Sequence, residues 1–236
     1  IDLRSTAGEI GDVDVQVAPG DKFVFRAEAS DGENDAVGFG TETGEPLRTV
    51  YATAETVNYL DEDFEDFAAQ AFVSEGASLD IRDVGTSVVY AGPKTAVGSA
   101  MFRGTGSTNW RDYVLQMDVR PGSEEFRVGY GWTGPMADGR GYYAVLGPDS
   151  TRRGLFRRES GRIVRDGDLR TFVPSAGDVQ PLRVEWNRAT GAHVISFGTF
   201  SKTFTNARIS NGSIWVSGKD AAFDNIRVRS RTAVDP

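Results

Sequence analysis

Apolar and polar residues alternate along several short segments of the chain, and this pattern predicts β-strands. In "YVLQMDVR", Tyr113, Leu115, Met117 and Val119 fall on one face, with polar residues between them. "FRVGYGW" repeats the pattern and places Trp132 on the same face as the apolar residues before it. "GYYAVL", "LRVEW", "AHVISF" and "SIWVSG" continue it, separated by Gly, Pro, Asn or Asp. The sequence therefore predicts an all-β fold, a two-layer antiparallel β-sandwich.

One segment shows a different period. In "YLDEDFEDFAAQAFVSEG", five apolar residues recur at helical spacing: Leu60, Phe64, Phe67, Ala68 and Ala71. This stripe predicts a helix over residues 60–71, which competes with the strands predicted elsewhere.

The N-terminal part is distinct from the rest of the chain. "DVDVQVAPGDKFVFRAEASD" reads as two strands around Pro19-Gly20, followed by an acidic connection rich in glycine. We predict an N-terminal β extension or small β-unit over 1–58, a main domain over 59–230 and a tail over 231–236.

The amino-acid composition excludes several kinds of site and partner. The 236 residues include no cysteine and one histidine, which excludes disulfides and thiolate metal sites. The chain has no run of about 18 apolar residues, so we expect no membrane span. The net charge of −8 argues against nucleic acid as a partner. Residues 1–70 carry 17 acidic and 4 basic side chains, whereas the remainder is net positive, and this division favours self-association.

The order of motifs from about residue 60 to residue 229 resembles a bacterial concanavalin A-like (LamG-like) jelly-roll domain of the lectin and glucanase type. The matching stretches are "DEDFEDF", "LDIRDVGTSVV", "GSTNWRDYVLQMDVRPG", "GRGYYAVLG", "PLRVEWN" and "AAFDNIRV". The resemblance implies a jelly roll that commonly binds carbohydrate and in some branches is a glycosidase or polysaccharide lyase.

The resemblance also implies one structural calcium ion between the opening acidic segment and the closing strand. The candidate ligands carried over to this sequence are Asp224 together with Glu65 or, in its place, Asp63. Such an ion would explain a carboxylate lodged between Phe223 and Ile226, because a hard cation compensates a buried negative charge. A helix over 60–71 would weaken this hypothesis, and both interpretations stay open.

Catalytic chemistry finds little support in the sequence. His193 is the single candidate for a base at neutral pH, and we expect it to be a partly exposed strand residue. The paired-carboxylate strand of the glucanase branch is absent. The chain is therefore not predicted to be an enzyme.

Sugar binding needs aromatic surfaces with polar groups beside them. Adjacent Tyr142 and Tyr143 must face opposite ways on a strand, so one of them is a candidate. We select Tyr143 and Trp132. Seven arginines fall between Arg152 and Arg170, and Arg157 among them is the candidate for gripping an anionic polysaccharide.

The sequence thus predicts an extracellular or cell-surface carbohydrate-binding module whose partner is a polysaccharide or surface glycan. The alternative is a structural surface or filament subunit that assembles through its acidic N-terminal part and Arg-rich sandwich. A polysaccharide hydrolase or lyase is the third hypothesis.

Overall fold

A computed structural model describes residues 57–231, apart from 70 and 176, together with four short strands nearer the N-terminus. Residues 1–55 and 232–236 form one compact unit and residues 56–231 another. In the first unit, β1 (Lys22–Val24) pairs with β4 (Thr49–Tyr51) and β2 (Glu28–Ser30) pairs with β3 (Asp35–Val37), both antiparallel. The strand predicted before Pro19-Gly20 lies outside the described residues.

The larger unit is built from strands. They are β5 (Asn58–Glu62), β6 (Phe72–Ser74), β7 (Asp80–Asp83), β8 (Val88–Ala91), β9 (Gly98–Phe102), β10 (Tyr113–Arg120), β11 (Phe126–Thr133), β12 (Arg140–Leu146), β13 (Gly154–Glu159), β14 (Arg162–Asp168), β15 (Gln180–Asn187), β16 (Ala192–Phe197), β17 (Phe200–Thr205), β18 (Ser213–Gly218) and β19 (Ala222–Ser230). One 3-10 turn covers Ser107–Asn109. The described part of the chain contains no α-helix, and so no helix there could cross a membrane.

The strands form two sheets. The eight-stranded sheet has the order β17-β16-β15-β10-β19-β8-β7, and β5 also pairs with β19. The seven-stranded sheet has the order β14-β13-β12-β11-β18-β9-β6. Paired strands run antiparallel, so the predicted all-β, two-layer sandwich is confirmed.

The core lies between the two sheets, where the alternating pattern places apolar side chains. On β10, Tyr113, Leu115, Met117 and Val119 are buried, whereas Gln116 between them is half-buried on the outer face. Large buried side chains of this kind each stabilise the fold by roughly 1.5–3 kcal/mol. Facing strands of the other sheet contribute the remainder of the core.

The helix predicted over 60–71 is wrong. Strand β5 occupies its start, and turns follow, because aspartate side chains bond to the backbone two residues ahead. Asp63 Oδ1 accepts from the Glu65 N–H at 3.1 Å, and Asp66 Oδ1 accepts from the Ala68 N–H at 2.9 Å. Such local bonds compete with helical ones. They leave Phe64 in a left-handed conformation with its ring fully buried.

His193 is fully buried rather than partly exposed as expected. Its Nε2 lies 2.7 Å from the Asn206 carbonyl oxygen, which can only accept, so Nε2 carries the proton and donates. Nδ1 then accepts from the Tyr130 hydroxyl at 3.0 Å. Burial lowers the pKa of His193, partly offset by the Asn206 bond and by Asp166. The residue is a neutral, paired core group.

Candidate functional site

The outer face of the seven-stranded sheet carries a second apolar cluster, separate from the core between the sheets. We call it the aromatic face, and it comprises Met101, Trp132, Tyr143, Val145, Phe156 and Trp215, with Met136 packed against it. Strand register explains the arrangement, because cross-strand pairs join its members in a row across neighbouring strands: Met101 with Trp215, Trp215 with Gly129, Gly129 with Tyr143, and Tyr143 with Phe156.

Tyr142 and Tyr143 point to opposite sides of β12, as the strand pattern predicts. Tyr142 faces the core, and its hydroxyl donates to the Asn206 carbonyl oxygen and accepts from the Ile209 N–H, both at 3.1 Å. Tyr143 faces outward and stacks on Phe156 with ring centroids 5.4 Å apart. Its side chain is nonetheless packed, with 9% of the residue exposed.

Trp132 lies on the outer face, whereas the alternating pattern predicts the core side. The register of β11 shifts between Tyr130 and Thr133, where Gly131 takes a positive φ of 58°. This irregularity reverses the side on which Trp132 points. Its ring packs edge-on against Trp215, with centroids 5.4 Å apart.

The loop after β11 covers Trp132. The indole Nε1 donates to the Pro135 carbonyl oxygen at 3.2 Å, and Met136 packs on the cluster. The backbone N–H of Met136 donates to Glu75, which anchors the loop to the opposite edge of the sheet. Only 1% of Trp132 is exposed, so its ring supports the aromatic face from below and offers no open surface.

Charged groups surround Tyr143 on the same face. Arg127 on β11 and Arg158 on β13 flank it, and Glu125 pairs with Arg127. Burial raises the pKa of the Tyr143 hydroxyl, although both guanidiniums act in the opposite direction. The hydroxyl is therefore neutral at pH 7, and it makes no hydrogen bond within the described ranges. Arg165 lies over the Phe156 ring, 5.7 Å from its centroid.

Two donors at this face are buried and lack a hydrogen-bond partner among the residues the structure describes. They are the Trp215 Nε1 and the Arg158 Nε. Buried polar atoms are normally paired, so unpaired donors mark a place where an acceptor is favoured. The sequence places Trp215 in the predicted strand "SIWVSG" and Arg158 in the run of arginines, and neither position is distinguished there as a binding residue.

Arg157 does not lie on the aromatic face. It pairs across the strands with Tyr142, and neighbouring residues of a strand point to opposite sides. Its Nε lies 3.0 Å from Asp166, and its guanidinium also pairs with Glu159. The structure thus places Arg157 apart from Trp132 and Tyr143, in ion pairs that fix the edge of the sandwich.

The three carboxylates predicted as calcium ligands line one pocket on the outer side of the eight-stranded sheet. The pocket has a volume of about 370 Å³ and also contains Asp118 and Arg120. Glu65 and Asp224 converge on the Ser87 hydroxyl, at 3.2 and 2.5 Å. One hydroxyl proton can serve only one of the two carboxylates.

The donor set around Ser87 consists of oxygens, which suits a hard cation such as calcium. Within the described residues, however, no group of three or more acidic or histidine side chains is close enough together to hold a metal ion. A cation there would be held by two carboxylates, and Asp63 would remain at the rim.

Asp224 sits in β19 because the strand bulges. Register between β10 and β19 shifts between Gln116 and Asp118, and Asn225 takes a positive φ of 50°. The extra residue lets Phe223 and Ile226 both face the core. The carboxylate and the Asn225 amide point outward, and the amide donates to Asp118 at 2.9 Å.

Comparisons with known proteins show the fold. No protein-family model matches the chain, and no curated protein matches it. A Bacillus subtilis protein of unknown function with a galectin-like fold superimposes with a TM-score of 0.54 and 10% identity, over 74% of this chain and 97% of that one. The chain adopts a galectin-like jelly roll. The carbohydrate-binding module CBM66 of Bacillus subtilis gives a TM-score of 0.51 and 13% identity, over 68% of this chain and 96% of that one.

The jelly roll places the two candidate regions on different sheets. The aromatic face lies outside the seven-stranded sheet, and the acidic pocket lies outside the eight-stranded sheet. The jelly roll expected from the order of motifs agrees with the fold of these two solved structures.

Proposed function

We propose that this chain is a non-catalytic carbohydrate-binding module and that its aromatic face holds the glycan. The observation that carries the proposal is the combination on one sheet surface of packed rings with the Tyr143 hydroxyl and the Arg127 and Arg158 guanidiniums. Sites for small polar ligands commonly combine apolar walls with a few placed polar groups. The fold shared with a solved carbohydrate-binding module supports the same conclusion.

The site would recognise a glycan mainly through polar groups. The rings of the aromatic face are packed, so they form a rigid floor that holds the charged side chains in position. Arg127 and Arg165 are the more open groups, each with about two fifths of its side chain exposed. Sugar oxygens would accept from the guanidiniums, and the neutral Tyr143 hydroxyl can both donate and accept.

A glycan array followed by affinity electrophoresis tests this function. Tyr143→Phe keeps the ring and removes the hydroxyl, and Arg127→Gln removes one charge. We expect each change to weaken binding about 5–20-fold, the equivalent of one or two hydrogen bonds. Arg188→Gln, an exposed arginine of the eight-stranded sheet's β15–β16 turn, is the matched control. Unchanged affinity in both variants, or no glycan bound by the wild type, would refute the proposal.

We propose calcium as a structural ligand of the acidic pocket. The support is the pair of carboxylates that converge on one hydroxyl in this pocket, because two neighbouring negative charges favour a cation between them. Glu65 and Asp224 would hold the ion, and the remaining positions would be filled by backbone carbonyls or water. With so few charged ligands, we expect weak affinity, of the order of 10⁻⁴–10⁻³ M.

An extracellular or cell-surface location follows from the proposed ligand, since polysaccharides are most abundant there. Fractionation of the source cells, with antibody detection of the chain, tests this location. Recovery of the protein only with cytosolic markers would contradict it.

Assembly into a surface structure is the competing function. It is favoured by the uneven charge of the chain, net −13 over residues 1–70 and net +5 over the remainder. Light scattering across a salt series distinguishes the two functions. Polymers that dissociate as salt rises, together with an empty glycan array, would favour assembly, because screening weakens attraction between exposed charges.

A further inference from the structure

Guanidinium groups converge on Tyr143 from two directions. Arg127 lies opposite Val145 on one neighbouring strand, and Arg158 lies opposite Gly141 on the other. Val145 and Gly141 are four residues apart on β12, roughly 13 Å at the rise of a β-strand. Tyr143 is midway between them, so the two arginines bracket its hydroxyl diagonally across the sheet.

Acidic residues on this face neutralise some of the arginines. Glu125 pairs with Arg127 and also with Arg152, whose Nε lies 3.0 Å from it. At the edge of the face, Glu75 pairs with Arg103. These carboxylates are therefore already occupied by protein cations.

The positive charge of Arg158 is less fully compensated by neighbouring carboxylates. Its nearest carboxylate is Asp138 at 3.4 Å, on a side chain that is 86% exposed, and an exposed pair of this kind contributes little. Its Nε is buried without a hydrogen-bond partner in the described part of the chain. The Arg158 side chain itself is 21% exposed, so part of it is accessible to a ligand.

Arg165 lies opposite Phe156 on the neighbouring strand β14. It donates to the backbone carbonyls of Thr151 and Arg153 and lies 3.6 Å from Asp168. Asp168 pairs more closely with Arg170, at 2.5 Å. Arg165 therefore contributes positive charge over the Phe156 ring, whereas its N–H groups are already bonded to backbone carbonyls.

We propose that the ligand of the aromatic face is an acidic polysaccharide whose sugar carboxylates pair with Arg158, with Arg165 as a supporting charge. This inference rests on the proposed glycan-binding function and names the class of glycan. A guanidinium presents two parallel N–H groups that match the two oxygens of a carboxylate. The Tyr143 hydroxyl and Arg127 would then contact uncharged oxygens of the same chain.

The test compares uronate polymers with their own methyl esters, which keep the backbone and remove the charge. Polygalacturonate, alginate and glucuronan are each measured against the esterified form by affinity electrophoresis. We expect one acidic form to bind at least tenfold more tightly than its ester. Raising sodium chloride from 50 to 500 mM should weaken that binding, because exposed charge pairs are screened.

Two variants test whether the Arg158 guanidinium is responsible for the preference for the acidic polymer. Arg158→Gln should reduce affinity for the acidic polymer about tenfold and affinity for the ester by a smaller factor, because a guanidinium donates a weaker hydrogen bond to a neutral oxygen than to a carboxylate. Arg158→Lys keeps the charge but loses the two parallel N–H groups of the guanidinium, so it should retain only part of the affinity. Arg188→Gln is the control, and thermal melts verify that each variant is folded.

The outcomes separate the two proposals. If a methyl ester or a neutral glycan binds as tightly as the best acidic polymer, the ligand is not an acidic polysaccharide. The proposed glycan-binding function would still stand. Unchanged binding in Arg158→Gln would also overturn the proposal of an acidic ligand. Failure to bind any polymer in the panel or on the array would overturn both.

Discussion

Gly129 shows how the absence of a side chain builds the aromatic face. A Cβ atom at this position would lie 1.9 Å from the Trp215 Nε1 and 2.1 Å from its Cε2. The Trp215 ring therefore lies directly over β11, where only glycine leaves room, and this places it beside Tyr143. The sequence shows the glycine, but it does not show that Trp215 packs against this position.

Gly129→Ala should destabilise the protein by about 1–3 kcal/mol, because Trp215 or the strand must move. A drop of about 2–4 °C in melting temperature per kcal/mol is expected for a unit of this size. Trp215→Ala in the same background should remove the clash, so the double variant should lose less than the sum of the single changes. Strict additivity would contradict the packing described.

His193 makes stability depend on pH in a defined direction. Its pKa is lowered by burial in the folded state, whereas the unfolded chain takes up a proton near pH 6.5. The unfolded state therefore binds more protons as pH falls below about 6.5, and stability declines through that range.

His193→Gln retains a side-chain donor and cannot titrate. Urea melts from pH 7.5 to 5.5 should show a decline in the wild type and a flatter profile in the variant. Since the chain has one histidine, no second imidazole complicates the comparison. Identical slopes would show that the buried imidazole does not control this transition.

At the scale of elements, regular strands were predictable and their interruptions were not. The alternation of "YVLQMDVR" predicts which side chains of β10 face the core. The bulge in β19 has a visible signal, since Phe223 and Ile226 are three residues apart while Ile226 and Val228 are two apart. The shift at Gly131 that turns Trp132 outward has only glycine as a signal, and glycine permits many conformations.

The side of His193 is harder to predict from β16. His193, Ile195 and Phe197 share the fully buried face, but Val194 on the other face is also apolar, so the alternation alone does not select a side. The failure over 60–71 has a different cause. There, apolar spacing favours a helix, but carboxylates bonded to the local backbone favour turns, and a count of apolar positions ignores them.

The Asn225 bulge can be tested with two substitutions. Asn225→Ala loses the bond to Asp118 and places an alanine at a left-handed φ, a conformation that costs about 1–2 kcal/mol. Asn225→Gly loses the same bond without that strain. We expect the alanine variant to be less stable than the glycine variant by about 1 kcal/mol in denaturant melts. The reverse order would mean that the bulge is not retained in solution.

At the scale of the whole sandwich, the acidic pocket and the aromatic face belong to different sheets. Calcium should therefore change stability without directly changing glycan affinity. At a hundredfold excess over its dissociation constant, calcium would add about 2.7 kcal/mol, or roughly 5–10 °C in melting temperature.

Melts in calcium and then in EGTA measure this shift, with Asp224→Asn as the variant that should abolish it. Glycan affinity measured well below the melting temperature should be equal with and without calcium. A melting shift that persists in Asp224→Asn would place the ion elsewhere, and the absence of any shift in the wild type would refute calcium binding.

The division of the four tryptophans between two environments provides an optical probe. Trp110 and Trp186 lie in the core between the sheets, whereas Trp132 and Trp215 belong to the aromatic face. Replacing the core pair with phenylalanine would leave fluorescence that arises only from the face. A change in the wavelength or intensity of this emission would then report a ligand that binds over the face, with no label attached to the protein.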